Sequence, residues 1–207
     1  MGTQSTKERI RARRKQERVR GYLVWGGLAG VAVIVIVAVA LRARQRSGGE
    51  DLPLPEVEPV PTAEVFSHVP EGTDPGPYNS DPPSSGRHFP TQAFAGFYDG
   101  EQAASFDPFP AGYLLHSLEH GYVIFWYDCE GLSAGDCEDL KADIQQVMGR
   151  VGNYKVIGFP WPSLDVPVVM TSWGRLLRFE QFDPDLAEAF VRGNRENPEL
   201  APEIRAP

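Results

Sequence analysis

Cysteine is scarce in this chain: Cys129 and Cys137 are the only two among 207 residues. That count excludes a multi-cysteine zinc framework, and a Cys-x7-Cys spacing fits no common zinc pattern. Basic residues are scarce beyond position 46, where nine Lys/Arg stand against 26 Asp/Glu, a net charge of −17. So acidic a region repels nucleic acid and attracts cations. Internal repeats are absent, which excludes a solenoid. No Ser-His-Asp or Cys-His order points to a nucleophilic hydrolase; Ser117 is next to His116 along the chain, but adjacency does not create the required contact.

Long apolar runs are also missing, with one exception. Residues 22–41 are 20 consecutive positions without a charge, rich in Val, Ile, Ala and Leu. A helix of that length spans about 30 Å, the thickness of a bilayer's hydrocarbon core. The segment has no polar face, so it is not a soluble amphipathic helix. Ala38-Val39-Ala40 has the small-x-small form of a signal cleavage site, but a signal's apolar region is usually about 7–15 residues. The reading is a retained transmembrane helix, with Gly26 and Gly30 as a weak small-xxx-small pair. Eight basic residues precede the run and three follow it closely (Arg42, Arg44, Arg46). The positive-inside rule then places the N-terminus in the cytoplasm and the remainder outside: a single-pass protein of the cell membrane. The partners implied are the lipid bilayer at 22–41 and anionic head groups at the basic arm, with no nucleic acid. Protein partners are unspecified.

Five regions follow. They are a basic arm (1–21), the transmembrane helix (22–41), a Pro/Gly/acidic stalk (42–63), a globular domain (64–200) and a tail (201–207) frayed from Pro198 onward. Within the domain, 68–112 is rich in Pro, Gly, Ser and Asp and reads as ordered loop, since its aromatics must pack on something. Tyr122 to Tyr127 is apolar throughout, as in a buried strand. A helix is expected from Ser133 to about Met148, then strands at Tyr154–Gly158, Val166–Trp173 and Leu176–Phe182, with Gly174-Arg175 as a hairpin turn. Asp183-Pro184 opens a last helix to about Asn194, with Leu186, Phe190 and Val191 facing the sheet. The predicted fold is a single α+β domain: a mostly antiparallel sheet, two helices and a loop-rich N-terminal half, preceded by the transmembrane helix.

In an oxidising compartment Cys129 and Cys137 most simply form a disulfide closing a short loop. The chain has four histidines, His68, His88, His116 and His120, all within one 53-residue stretch. Independent core or surface roles are the ordinary reading of a histidine, and clustering argues against it. Neutral imidazole is the commonest nitrogen ligand for zinc and copper.

The sharpest local pattern is His116-Ser117-Leu118-Glu119-His120. On a helix its two imidazoles and its carboxylate share one face, within about 6 Å. On a strand the two histidines stand about 13 Å apart, too far for one ion. Joint metal binding therefore requires a helical turn at 113–120. The string also equals the H-x-x-E-H pattern of inverted zinc proteases. Those enzymes carry it in a long helix and need a second Glu on another helix, so a hydrolase is the weakest reading.

Tyr78-Asn79-Ser80-Asp81-Pro82-Pro83-Ser84-Ser85-Gly86-Arg87-His88, Gly96-Phe97-Tyr98 and His116-Ser117-Leu118-Glu119-His120-Gly121 resemble the bacterial domain of unknown function 3105 family. His68-Val69 and Val168-Val169-Met170-Thr171-Ser172-Trp173-Gly174 fit as well, and the resemblance covers about 64–200. Arg87 stands where that family often has a second Pro. The resemblance implies a membrane-tethered, extracytoplasmic domain with no established activity, in which all four histidines fall at pattern positions.

The leading functional reading is a transition-metal site, for copper or zinc, built from His68, His88, His116 and His120 with Glu119 as ligand or partner. Met170 is a possible soft ligand, though a strand Met is more often core. The alternative is a non-catalytic cell-envelope interaction module whose histidines pin the front loops.

Overall fold

The run Tyr122–Tyr127 is apolar without alternation because both of its faces are covered. A computed structural model describes residues 57–62, 67–162 and 164–204, all within the unit Asp51–Pro207. In chain order its elements are β1 (Glu58–Pro59), β2 (Gly96–Phe97), α1 (Gly100–Ala104), α2 (Pro110–Glu119) and β3 (Val123–Tyr127). There follow α3 (Ala134–Arg150), β4 (Val156–Pro160), β5 (Val168–Ser172), β6 (Arg175–Phe179) and α4 (Pro184–Asn194). Val123, Phe125 and Tyr127 of β3 join one apolar cluster with α3 and α4. Ile124 and Trp126, between them, join a second cluster with Leu114, Leu115 and Leu118 of α2. Each fully buried side chain of this kind contributes roughly 1.5–3 kcal/mol of transfer free energy.

The six strands form one sheet in the order β1-β6-β5-β3-β4-β2. The β1·β6, β6·β5 and β5·β3 pairings are antiparallel; β3·β4 and β4·β2 are parallel. The α+β class and the mostly antiparallel sheet are as predicted. The parallel β3·β4 pair needs a crossover, and α3 supplies it. Ser133 caps α3 by accepting from the Asp136 amide, and Asp183 caps α4 by accepting from Asp185 and Leu186. Phe190 and Val191 are buried in the core as anticipated, with Leu186 packed partly against it.

Several expectations need correction. The described residues contain four helices, not two. Helix α2 escaped the sequence reading because eight of its ten residues are buried, leaving no polar face to reveal a helical period. Helix α1 is barely one turn, and the edge strands β1 and β2 have two residues each. The hairpin turn is Trp173-Gly174, since Arg175 already pairs with Ser172. Gly174 takes the left-handed conformation, φ 67°, at the second turn position, where glycine is free of the side-chain penalty. The C-terminal segment does not fray at Pro198: Ala201 is buried, and the Glu203 amide donates to the Glu119 carbonyl at 3.1 Å.

Cys129 and Cys137 are joined in a disulfide, with Cα atoms 5.4 Å apart. In the chain-entropy picture so short a loop contributes about 2–3 kcal/mol. No helix among the described residues is long and apolar enough to cross a membrane. The predicted transmembrane helix at 22–41, the basic arm and most of the stalk lie outside the described residues.

Candidate functional site

The helical turn that joint binding requires is present. His116 and Glu119 lie in the last turn of α2, and His120 is its C-terminal cap. With spacings of three and four residues they share one face. His116, Glu119 and His120 each offer a ligand atom, all within 4.8 Å of one another.

Two loops bring the other histidines. His68 and His88 meet in an isolated parallel β-bridge, and the Val69 amide donates to the His88 carbonyl at 2.8 Å. The Pro-Pro-Ser-Ser loop before His88 is tied by Asn79, whose side-chain oxygen accepts from the amides of Ser84 (3.2 Å) and Ser85 (3.0 Å). Arg87 donates to the Gly76 carbonyl from the same loop. The loop then docks on α2, the Phe89 amide donating to the Gly112 carbonyl at 2.9 Å. A methyl group at Gly112 would lie 2.4 Å from the Phe89 ring, so only glycine lets loop and helix approach so closely.

The result is a packed set of imidazoles. Ring centroids lie 4.8 Å apart for His68 and His88, 4.9 Å for His68 and His116, 5.3 Å for His88 and His116, and 4.7 Å for His116 and His120. His68, His88 and His116 also form a triad of ligand atoms within 4.8 Å, so His116 belongs to both triads. His88, His116, Glu119 and His120 are buried. His68 is the accessible member, its side chain 46% exposed.

The hydrogen bonds orient the rings. His88 Nδ1 lies 2.9 Å from the Gly86 carbonyl, and His116 Nδ1 lies 2.6 Å from the Phe89 carbonyl. A carbonyl oxygen only accepts, so both Nδ1 atoms carry the proton and both Nε2 atoms turn inward. His88 Nε2 is 2.9 Å from Glu119 Oε2, and His116 Nε2 is 2.9 Å from His120 Nε2. In the neutral ring each inward Nε2 presents a lone pair. A lone pair beside a carboxylate oxygen, or beside a second lone pair, needs a shared proton or a cation between them.

Electrostatics agree. Burial, reinforced by the neighbouring rings, holds the His116 pKa below the ordinary imidazole value, although its bond to Phe89 opposes the shift. Burial pushes the Glu119 carboxyl up, but the His88 hydrogen bond and the fields of His88, His116 and His68 prevail and hold it below the usual carboxylate range. An ionised Glu119 and a His116 disfavoured from protonation are what cation ligation requires of these two groups.

All five sequence-predicted site residues are thus brought together: His68, His88, His116, His120 and Glu119. Met170 is not; it sits in the apolar cluster beneath α3 and α4, a core residue. The H-x-x-E-H string lies at the end of a ten-residue helix, with β3 beginning at Val123. It lacks the long helix of the inverted proteases, and Glu119 Oε2 faces His88 Nε2. Three contributors have roles that residue order does not state. Asn79 falls in the family-like string and Gly112 just before the helical turn at 113–120, but neither carries metal-binding chemistry, and Glu203 lies in a segment that reads as tail. Glu203 Oε2 lies 3.9 Å from His120 Nε2.

Fold and site together define an α+β domain with a largely buried histidine–carboxylate cluster between a short helix and two tethered loops. The chain belongs to the family described as Protein of unknown function (DUF3105), whose model matches residues 68–207. No curated protein and no solved structure matches the chain.

Proposed function

We propose that this domain binds a transition metal ion, copper or zinc, through His68, His88, His116 and His120 with Glu119 as ligand or immediate partner. The observation that carries the proposal is the paired orientation of His88 and His116. Each ring gives Nδ1–H to a backbone carbonyl and turns Nε2 toward the shared space. Metal-ligating histidines are held in this way, the outer nitrogen fixing the tautomer and the inner one left to coordinate. Exposure of His68 provides a side from which an ion enters, and the acidic outer region raises the local cation concentration. In this reading residues 22–41 anchor the domain in the cell membrane, the basic arm lies on anionic head groups inside, and the domain faces outward.

The test is metal content. The full-length chain, purified in detergent, retains close to one zinc or copper per chain, and the double variant His116→Ala/His120→Ala retains none. A chain that carries no metal and takes up none on titration refutes the proposal.

One observation favours a second reading, an envelope interaction module with structural histidines: the same Nδ1 bonds pin the Gly86 and Phe89 carbonyls of the front loops. In that case histidine substitutions lower the melting temperature, and chelator leaves the wild-type melting temperature unchanged.

A further inference from the structure

We infer that Glu203 is a carboxylate ligand on the His116–His120 side of the site, and that it biases the site toward divalent zinc or copper(II) over copper(I). The inference rests on the metal-binding reading above. The segment that carries Glu203 is held against the end of α2 at two points. The Glu196 amide donates to the Gly121 carbonyl at 2.9 Å, and the Glu203 amide donates to the Glu119 carbonyl at 3.1 Å. Between them Ala201 is buried, and the Ile204 side chain reaches Gly121. Gly121 has φ 81°, and a methyl group there would lie 3.0 Å from Glu196 Cα, so the closeness depends on glycine.

This clasp brings Glu203 Oε2 to 3.9 Å from His120 Nε2, the nitrogen that also lies 2.9 Å from His116 Nε2. Ligand atoms bound to one ion at about 2.0–2.2 Å each stand roughly 3–4 Å apart, so both separations fit a single ion. Half of the Glu203 side chain is exposed, against 4% for Glu119. Glu203 can therefore swing in on ligation, where Glu119 is held by His88. A hard, anionic oxygen added to imidazole nitrogens suits zinc and copper(II), whereas copper(I) selects soft donors.

The experiment compares the full-length chain in detergent with Glu203→Gln, Glu203→Asp and Glu199→Gln, titrating zinc(II) and copper(I) against chelators of known affinity. Glu203→Gln keeps shape and removes charge; its zinc affinity falls by at least the roughly 10- to 100-fold that loss of even an outer-shell partner costs. Its copper(I) affinity stays unchanged, Glu203→Asp falls between it and wild type, and Glu199→Gln behaves as wild type. Melting temperatures of the metal-free proteins agree, so the loss is not unfolding. Equal zinc affinity in Glu203→Gln and wild type overturns the inference while leaving metal binding standing. Equal losses in Glu203→Gln and Glu199→Gln overturn it in favour of bulk charge. A wild-type chain that takes up neither ion overturns both.

Discussion

On one face of the sheet, α3 and α4 lay Leu140, Ile144, Val147, Phe190 and Val191 over Val123, Phe125, Val168 and Met170, an apolar contact throughout. On the other, α2 sets Leu114, Leu115 and Leu118 over Ile124 and Trp126, then ends in His116, Glu119 and His120 beneath the front loops. The first face depends on burial, which is non-directional. The second buries polar groups, so each must meet a partner at a set distance and angle. One face of the sheet thus carries an apolar contact alone, and the other adds the histidine–carboxylate cluster to it. Damage to the two should therefore be distinguishable.

The largest expected effect is on the helical face. Phe190→Ala removes a fully buried ring and costs about 3–5 kcal/mol, measured by urea unfolding of the chelated protein. Well below its lowered melting temperature the variant still binds metal at wild-type stoichiometry. Loss of metal from the folded variant would show that the two faces are not separable.

A smaller change on the loop face should do the opposite. Gly112→Ala drives a methyl group into the Phe89 ring and costs about 1–3 kcal/mol, the usual range for overpacking. Yet it displaces the residue whose carbonyl holds His116, so metal affinity falls although less stability is lost than in Phe190→Ala. Unchanged affinity would mean that the loop does not position the ring.

The smallest effect is the pH dependence of the metal-free protein. The folded His116 pKa lies below its ordinary value, so the unfolded chain binds the proton more readily, and stability declines as pH drops below about 6.5. The folded Glu119 pKa is also lowered, so its contribution is present above about pH 4.3 and is lost as pH falls through the folded value. Both act in one direction: the melting temperature declines on acidification, and His116→Gln removes the upper step. A flat profile between pH 7 and 5 would contradict the burial of a neutral His116.

Legibility in the sequence divides along the same line. Strands β3 to β6 and helices α3 and α4 were readable, with ends displaced by at most three residues (Phe182 expected against Phe179 observed for β6), because capping residues and apolar runs are local signals. Helix α2 was not readable as a helix, since burial on nearly all sides removes its period; only the chemistry of His116, Glu119 and His120 marked it. The four histidines were candidates from their residue type, yet no spacing between His68 and His88 states that a parallel bridge joins them. Glu203 lies 83 positions from His120, in a stretch of Pro, Glu and Ala that carries no local signal.

By itself, then, the sequence determined the element types on the helical face, the cysteine pair, and the five residues able to ligate a metal. These follow from side-chain chemistry and from periodicities that repeat every two or 3.6 residues. Only the tertiary structure decided that α2 is a helix, that His116 is common to both triads, and that the C-terminal segment brings a carboxylate to His120. Each of those depends on contacts between residues far apart in the chain, whose strength is set by packing and hydrogen-bond geometry and leaves no pattern in residue order.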